Sequence, residues 1–200
     1  YTIGYTEQAL AYFRRRTAEQ YAAHLRSGIR SDSYILDCGC GPGVITTGFA
    51  QWANKGDVIG VDLGAEQFPM AREFAKSQGV DNVSFRQGNV FELDFPDATF
   101  DVVFARALLF HIPNRAAAVA EMTRVLKPGG VLALSDFVIS KTIEFPPPPN
   151  SDAVAHNLVA KAALASGGNP DVGFELVDLM VESQLENIKT QLQFEQDLTG

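Results

Sequence analysis

Three short apolar runs, VIGVD, FDVVFA and GGVLALSDF, lack the polar alternation of a strand that has one face in water. Strands covered on both faces have this composition. Helical segments separate the runs, and strands that alternate with helices form right-handed crossovers and a mostly parallel sheet. The sequence therefore predicts an α/β fold with a doubly wound sheet and helices on both faces.

The order of the predicted elements defines a core over residues 34–138. An amphipathic helix over residues 6–26, with Thr6 as its N-cap, precedes this core. Strands are predicted at 34–37, 58–62, 83–87, 101–105 and 131–137, and helices at 42–53, 65–78 and 114–125.

The pattern changes from about residue 139. The run FPPPPN at 145–150 predicts an extended connector, because successive prolines neither continue a helix nor donate to a strand ladder. Helices at 152–166 and 173–184 and a strand at 186–196 follow. We interpret residues 139–185 as an inserted helical lid within a single domain of residues 1–200. The chain ends just after a predicted strand, and the sequence does not indicate whether the natural chain continues beyond Gly200.

Composition narrows the class of partner. The 200 residues are 46% hydrophobic, which suffices for one domain with a substantial core, and the formal net charge is −8. The net negative charge repels the phosphates of a nucleic acid, and the longest basic run is only Arg14 to Arg16. Nucleic-acid binding is therefore not expected. No apolar run approaches the roughly 18 residues that cross a bilayer, and the first residues do not resemble a signal peptide. We expect a cytoplasmic protein without stable membrane insertion; the sequence does not indicate its oligomeric state.

A cluster of glycines and cysteines, DCGCGPG, follows the first predicted strand. Cys38 and Cys40 are the only cysteines and have no second pair or nearby histidine, so a metal site is not predicted, and we interpret both as small space-filling residues. A dinucleotide site requires Gly-X-Gly-X-X-Gly, yet Val44 occupies the third glycine position. The turn still allows the backbone to approach a ligand closely.

The run from Ile35 to Gly43 resembles the first motif of class I S-adenosylmethionine-dependent methyltransferases. Further segments match later motifs of that family in order: GVDL at 60–63, QGNV at 87–90, FDVVFA at 100–105 and LKPGGVL at 126–132. The pattern is most similar to the ubiquinone/menaquinone-type and related small-molecule enzymes. The resemblance implies a Rossmann-like fold, S-adenosylmethionine as cofactor and a small-molecule methyl acceptor.

The same resemblance assigns residues to the nucleoside half of the cofactor. Asp62 would accept hydrogen bonds from the two ribose hydroxyl groups; its alternative role is to cap the helix that begins near Ala65. Gln67 would pack on the adenine or ribose. The Asn89 side-chain oxygen would accept a hydrogen bond from the adenine amino group, and the Val90 N–H would donate to adenine N1.

For the methionine half, the resemblance assigns backbone and acidic groups. Gly39 and Gly41 would form the floor beneath the methionine. Asp37 would orient the turn or meet the ammonium through water, and the Ala105 carbonyl would accept from that ammonium. In the first helix, Tyr12 or Arg16 would reach the methionine carboxylate, with a surface role as the alternative for Arg16.

Methyl transfer from a sulfonium is a one-step in-line displacement, so a dedicated catalytic residue is optional. If the acceptor must lose a proton, His111 after the fourth strand is the best-placed base; its alternative role is to pack that loop onto the sheet. Residues 139–185 would cap a small organic substrate, with Phe137, Phe145, Leu158 and Phe174 as candidate lining residues. The alternatives to a methyltransferase are a nicotinamide-dependent oxidoreductase and a non-catalytic, cofactor-binding partner subunit.

Overall fold

The computed structural model describes residues 15–141 and 150–192. Within these ranges, one sheet contains five strands in the order β3-β2-β1-β4-β5, and every neighbouring pair is parallel. The predicted α/β fold is confirmed, and the carboxyl ends of the strands meet at one edge. The strands are β1 (Ile35–Cys38), β2 (Val58–Asp62), β3 (Val83–Gln87), β4 (Phe100–Arg106) and β5 (Leu126–Ser135).

Strand β5 begins earlier than the predicted strand at 131–137. Phe100 pairs with Leu126, whereas Val102 pairs with Val131, so the ladder between β4 and β5 is irregular at 127–130. These four residues are Lys-Pro-Gly-Gly, in which proline has no N–H to donate and Gly129 has a φ of +77°. The segment that we expected to separate helix from strand is therefore a local irregularity within β5.

The first described helix is shorter than the predicted helix over 6–26. Helix α1 covers only Ala18–Tyr21, because Thr17 is extended (φ −88°, ψ 162°) and its side chain accepts a hydrogen bond from the Gln20 N–H. The prediction of a continuous helix is wrong over residues 15–26. Its earlier part, including Thr6, lies outside the described residues.

Three further helices cover the two faces of the sheet. Helices α2 (Val44–Trp52) and α3 (Phe68–Ser77) lie on one face, together with α1, whose Ala18 lies against Gly48 of α2. Helix α4 (Arg115–Val125) packs on the other face through Ala118, Val119 and Met122. The sheet is thus doubly wound, as predicted.

Two helices follow the sheet, in agreement with the prediction for this region. Helix α5 covers Asn150–Ala165, and helix α6 (Leu176–Glu182) lies beside α4 after a short 3-10 turn at Val172–Phe174. The predicted strand at 186–196 is wrong over residues 186–192, which form no strand, and residues 193–196 lie outside the described part. Across 15–141 and 150–192, no helix has both the length and the apolar character to cross a membrane.

Candidate active site

The glycine turn joins β1 to α2 at the carboxyl edge of the sheet. Gly39 and Gly41 have φ values of +73° and +52°, a left-handed conformation that favours glycine. The N–H groups of Gly39 and Cys40 both donate to the Val61 carbonyl, at 2.7 and 3.1 Å. The turn therefore folds over the ends of β1 and β2, where the sequence places the cofactor.

Gly43 ends this turn and precedes the first residue of α2. A Cβ on Gly43 would lie 2.5 Å from the ring of Phe85 and 2.9 Å from the Cβ of Ala71, and its φ is +73°. Glycine is required here so that α2 can begin close to β3 and α3. This packing role belongs to the third glycine of DCGCGPG, which the sequence analysis did not single out.

Asp62 lies at the end of β2 and is 6% exposed. One carboxylate oxygen accepts from the Gly41 N–H at 2.9 Å, and the other accepts from the Gly64 N–H at 2.9 Å. Asp62 thus fastens the glycine turn to β2. This bond was not anticipated, and it leaves the second lone pair of each oxygen for other donors.

Asp37 lies at the end of β1 and is 3% exposed. It accepts a hydrogen bond from the Thr46 hydroxyl in α2 at 2.6 Å. Burial raises the pKa of Asp37 to about 7, and the nearby Asp62 raises it further, while the Thr46 hydroxyl opposes the shift. The turn is therefore flanked by two buried acidic side chains, one of which titrates near neutrality.

Gln67 lies in the 3-10 turn Ala65–Gln67 that follows Asp62 and is 1% exposed. Its side-chain oxygen and nitrogen are both buried without a hydrogen-bond partner among the described residues. Buried amides almost always have partners, because an unpaired polar group in the interior costs about 1–3 kcal/mol. Gln67 therefore has both a donor and an acceptor for a ligand or an ordered water.

Asn89 and Val90 follow β3. The Gly88 N–H donates to the Asp62 carbonyl at 3.0 Å, which brings this segment beside the end of β2. Asn89 is exposed, and its side-chain oxygen accepts from the Phe91 N–H at 3.1 Å. Val90 is half-buried against the sheet core. Asp62, Gln67 and Asn89 thus follow neighbouring strands, as the sequence predicts.

The cysteines of the cluster pack in the core. Cys38 and Cys40 are free and buried, in clusters on opposite faces of the sheet. Burial raises the pKa of both thiols, and the charge of Asp37 adds to the shift. Among residues 15–141 and 150–192, no group of three or more His, Cys, Asp or Glu side chains could hold a metal ion.

The loop after β4 lies beside the glycine turn. Ala105 is buried at 2% exposure, and Ala107 has a φ of +52°, an unfavourable value for a residue with a Cβ. Leu108 lies against Gly39, since a Cβ on Gly39 would be 3.1 Å from the Leu108 Cδ1. This contact of Leu108 was not predicted from the sequence, because it joins segments nearly 70 residues apart.

Asp136, immediately after β5, holds this loop in place. One of its oxygens accepts from the N–H groups of Leu109 and Phe110, at 2.8 and 3.3 Å, and the other accepts from the Phe137 N–H at 3.0 Å. Burial raises the pKa of Asp136 to about 6, while these N–H groups and the charge of Arg106 oppose the shift. Like Asp62, Asp136 lies at the carboxyl end of a strand.

His111 is half-buried in the 3-10 turn Leu109–His111, and its ring lies 3.7 Å from the ring of Phe110, centroid to centroid. Burial lowers the pKa of His111 to about 4. A neutral imidazole with so low a pKa is a weak base near pH 7, which favours the packing role. Its role as a catalytic base stays a prediction.

Some of the other residues predicted to contact the cofactor or the substrate lie in the described part of the chain, and others do not. Arg16 is half-buried just before α1, whereas Tyr12 and Phe145 lie outside the described residues. The Phe137 ring packs edge-on against Phe110 with centroids 5.3 Å apart. Leu158 and Phe174 are largely exposed, at 59% and 64%.

Comparisons with known proteins match this geometry. Residues 29–193 match a family described as a methyltransferase domain. An uncharacterized methyltransferase of Schizosaccharomyces pombe is 33% identical over 86% of this chain and 64% of its own length. A sterol 24-C-methyltransferase of Eremothecium gossypii is 32% identical over 92% of this chain and 50% of its own length.

Among solved structures, the YcgJ protein of Bacillus subtilis superposes with a TM-score of 0.63 at 28% identity, over 81% of this chain and 66% of that one. The chain spans about half to two thirds of the length of the two curated relatives above.

Proposed function

The chain belongs to the methyltransferase-domain family of class I S-adenosylmethionine-dependent enzymes, and we propose that it methylates a small organic molecule. In this proposal, S-adenosylmethionine supplies the methyl group on its sulfonium. The acceptor is a nucleophilic oxygen, nitrogen, sulfur or carbon atom. The protein contributes mainly proximity and orientation.

The observation that carries the proposal is the bond between Asp62 and the Gly41 N–H. In a dinucleotide site, the N–H groups of such a turn face a pyrophosphate. Here a buried carboxylate already accepts one of them, and Asp37 adds a second acidic group beside the turn. The Asp62 carboxylate beside the turn repels a phosphate and favours a cation, and S-adenosylmethionine is a phosphate-free cation. A nicotinamide-dependent oxidoreductase is correspondingly disfavoured.

The residues present also fit the nucleoside half of this cofactor. The unpartnered amide of Gln67 offers a buried donor and acceptor to the adenine or ribose. Asp62 keeps free lone pairs for the ribose hydroxyls, and Asn89 with Val90 lies at the end of the neighbouring strand for the adenine. The Ala105 carbonyl and Arg16 are proposed to contact the methionine half.

The acceptor would lie over the ends of β4 and β5. Loop residues Leu108, Phe110 and Phe137 give this side an apolar and aromatic character. We further propose that residues 34–138 form the cofactor-binding core of a single domain and that residues 139–185 form the lid. The sterol 24-C-methyltransferase among the relatives supports an apolar acceptor. The location is proposed to be cytoplasmic, in keeping with two reduced cysteines.

Isothermal titration with S-adenosylhomocysteine tests the cofactor site. We expect binding by the wild-type chain and a loss of at least about tenfold in affinity for Asp62→Asn and Asp62→Ala. Asp97→Asn, which alters an exposed carboxylate, is the matched control. Undiminished affinity in folded Asp62→Ala, or binding of a nicotinamide dinucleotide instead, would contradict the proposal.

A second experiment tests the transfer itself. The wild-type chain is incubated with S-adenosylmethionine that carries a labelled methyl group and with pools of small apolar metabolites. Transfer of label to an organic product is expected. Binding without transfer to any pool would instead identify a non-catalytic, cofactor-binding partner subunit.

A further inference from the structure

The loop after β4 is held in an unfavourable conformation beside the glycine turn. Ala107 has a φ of +52°, and a non-glycine residue keeps such a value only where its surroundings enforce it. The Ala107 N–H donates to the Ser135 carbonyl at 2.9 Å, at the end of β5. The loop is thus attached to β5 before it turns toward β1.

Asp136 supplies the stronger part of this attachment. Its carboxylate accepts from the N–H groups of Leu109 and Phe110, which directly follow Leu108. Hydrogen bonds to an ionised carboxylate are stronger than those between neutral groups. Burial raises the pKa of Asp136 only to about 6, with Arg106 as the nearby cation, so the carboxylate is ionised at neutral pH.

The held loop ends in a contact with the cofactor turn. Leu108, between the strained Ala107 and the anchored Leu109, packs on Gly39. Gly39 is the residue proposed to lie beneath the methionine half of the cofactor. Movement of Leu108 therefore changes the surface that this half meets, while the nucleoside half contacts Asp62, Gln67 and Asn89 on other strands.

We propose that Asp136 is a positioning residue for methyl transfer: by fixing the loop 107–110 it presses Leu108 onto Gly39 and so shapes the site for the methionine half of the cofactor. The inference rests on the proposed function. It predicts that loss of the Asp136 anchor weakens only those ligands that carry the methionine half.

Two ligands separate this prediction from general destabilisation. S-adenosylhomocysteine carries both halves of the cofactor, whereas 5′-methylthioadenosine lacks the amino-acid group. By isothermal titration, we expect Asp136→Asn to weaken S-adenosylhomocysteine by about tenfold, as the loss of one hydrogen bond to a charged group does. Its affinity for 5′-methylthioadenosine should stay within about twofold of wild type.

Leu108→Ala provides an independent variant, because it leaves Asp136 intact and removes the contact with Gly39 together with part of the packing of Leu108 on the sheet core. The same selective loss is expected. Asp101→Asn is the matched control: Asp101 lies near the start of β4, at the opposite edge of the sheet, and accepts from the Tyr34 N–H at 2.8 Å. It should change the affinity for the two ligands alike or not at all.

Hydrogen exchange adds a readout that needs no ligand. The amides of Leu109 and Phe110 should lose protection in Asp136→Asn but keep it in Leu108→Ala and Asp101→Asn. If Asp136→Asn or Leu108→Ala weakens both ligands equally, or neither, the inference is wrong. Wild-type protein that binds neither ligand would refute the proposed function itself, whereas binding of both with no selectivity in the variants refutes only the positioning role.

Discussion

Aspartates at the ends of two strands fasten two different loops at the carboxyl edge of the sheet. Asp62 reaches from the end of β2 to Gly41 in the glycine turn, and Asp136 reaches from the end of β5 to Leu109 and Phe110 after β4. The first loop contains glycines that accept left-handed backbone at little cost, whereas the second contains Ala107, which does not. The glycine turn, on the cofactor side, is therefore free of backbone strain and is positioned by β1 and β2. The loop 107–110, on the acceptor side, is strained at Ala107.

One glycine in each region lies close to another segment of the chain, but the two positions differ. Gly43 is buried against the Phe85 ring in the core. Gly168 is half-buried just after α5 and lies against the Phe110 carbonyl. Gly43 serves the packing of the sheet, and Gly168 joins the segment after α5 to the acceptor loop. A change on the cofactor side should therefore affect global stability, and a change on the acceptor side should affect local opening.

The largest effect is expected for Gly43→Ala. A Cβ there meets the Phe85 ring and Ala71 and strains a φ of +73°, so the free energy of unfolding should fall by about 3 kcal/mol. The control is Gly79→Ala, which has a φ of +69° but open space around its Cβ and should cost about 1 kcal/mol. Urea denaturation measures both; equal costs would mean that the close packing at Gly43 is unimportant.

The next effect concerns pH. Burial raises the pKa of Asp37 to about 7, so its protonated form is favoured in the folded state and stabilises it at low pH. This contribution is lost as the pH rises through about 7, and Asp37→Asn should remove up to about 3 kcal/mol of the pH dependence between pH 5 and pH 8. Urea denaturation of the wild type and of Asp37→Asn at pH 5 and pH 8 measures this change in the free energy of unfolding. Asp136 contributes in the same direction through a pKa of about 6, so a smaller slope should remain in Asp37→Asn.

On the acceptor side, Gly168→Ala should act locally. A Cβ would collide with the Phe110 carbonyl oxygen, and because this neighbour is backbone, the loop or the segment after α5 must shift, at a cost of about 2–3 kcal/mol. Hydrogen exchange should show faster exchange at His111 and Ile112, with the amides of β1 and β2 unchanged. Equal acceleration in β1 would contradict the separation between the two regions.

The smallest effect is expected for Glu175→Gln. Glu175 pairs with Arg115 at 2.8 Å, with side chains 39% and 19% exposed, and accepts from Asn169 at 2.7 Å, so it ties the start of α6 to α4. Its loss should cost about 1 kcal/mol. Asp32→Asn, which removes a pair exposed at 68% and 64%, should cost less than about 0.5 kcal/mol. The melting temperatures of the two variants test this difference. Equal shifts would show that the bonds of Glu175 stabilise the fold no more than an exposed ion pair does.

The sequence predicted the sheet because its strands follow short-range patterns, whereas the roles of the cofactor residues stay predictions. Unalternated apolar runs identified β2 and β4, and the family resemblance assigned Asp62 to the cofactor site. The break before α1 was also readable locally, since Thr17 and Gln20 form the spacing of a capping box. That signal was outweighed by the apolar periodicity over 6–26.

The acceptor side could not be predicted because its contacts join distant segments. The contacts of Leu108 with Gly39 and of Gly168 with Phe110 have no pattern within any short window. The predicted strand at 186–196 shows the opposite failure: its alternation is genuine, but a strand needs a neighbour, and Leu192 is 84% exposed.

Alkylation of the two cysteines can report how often the centre of the sheet opens. Cys38 and Cys40 are the only thiols in the sequence, and both are buried with their pKa raised, so neither forms a reactive thiolate in the folded protein. An alkylating reagent can reach them only when β1 and its turn open. The rate of alkylation under native conditions therefore counts opening events at the centre of the fold, and slower labelling on addition of a ligand would report its binding without knowledge of the acceptor.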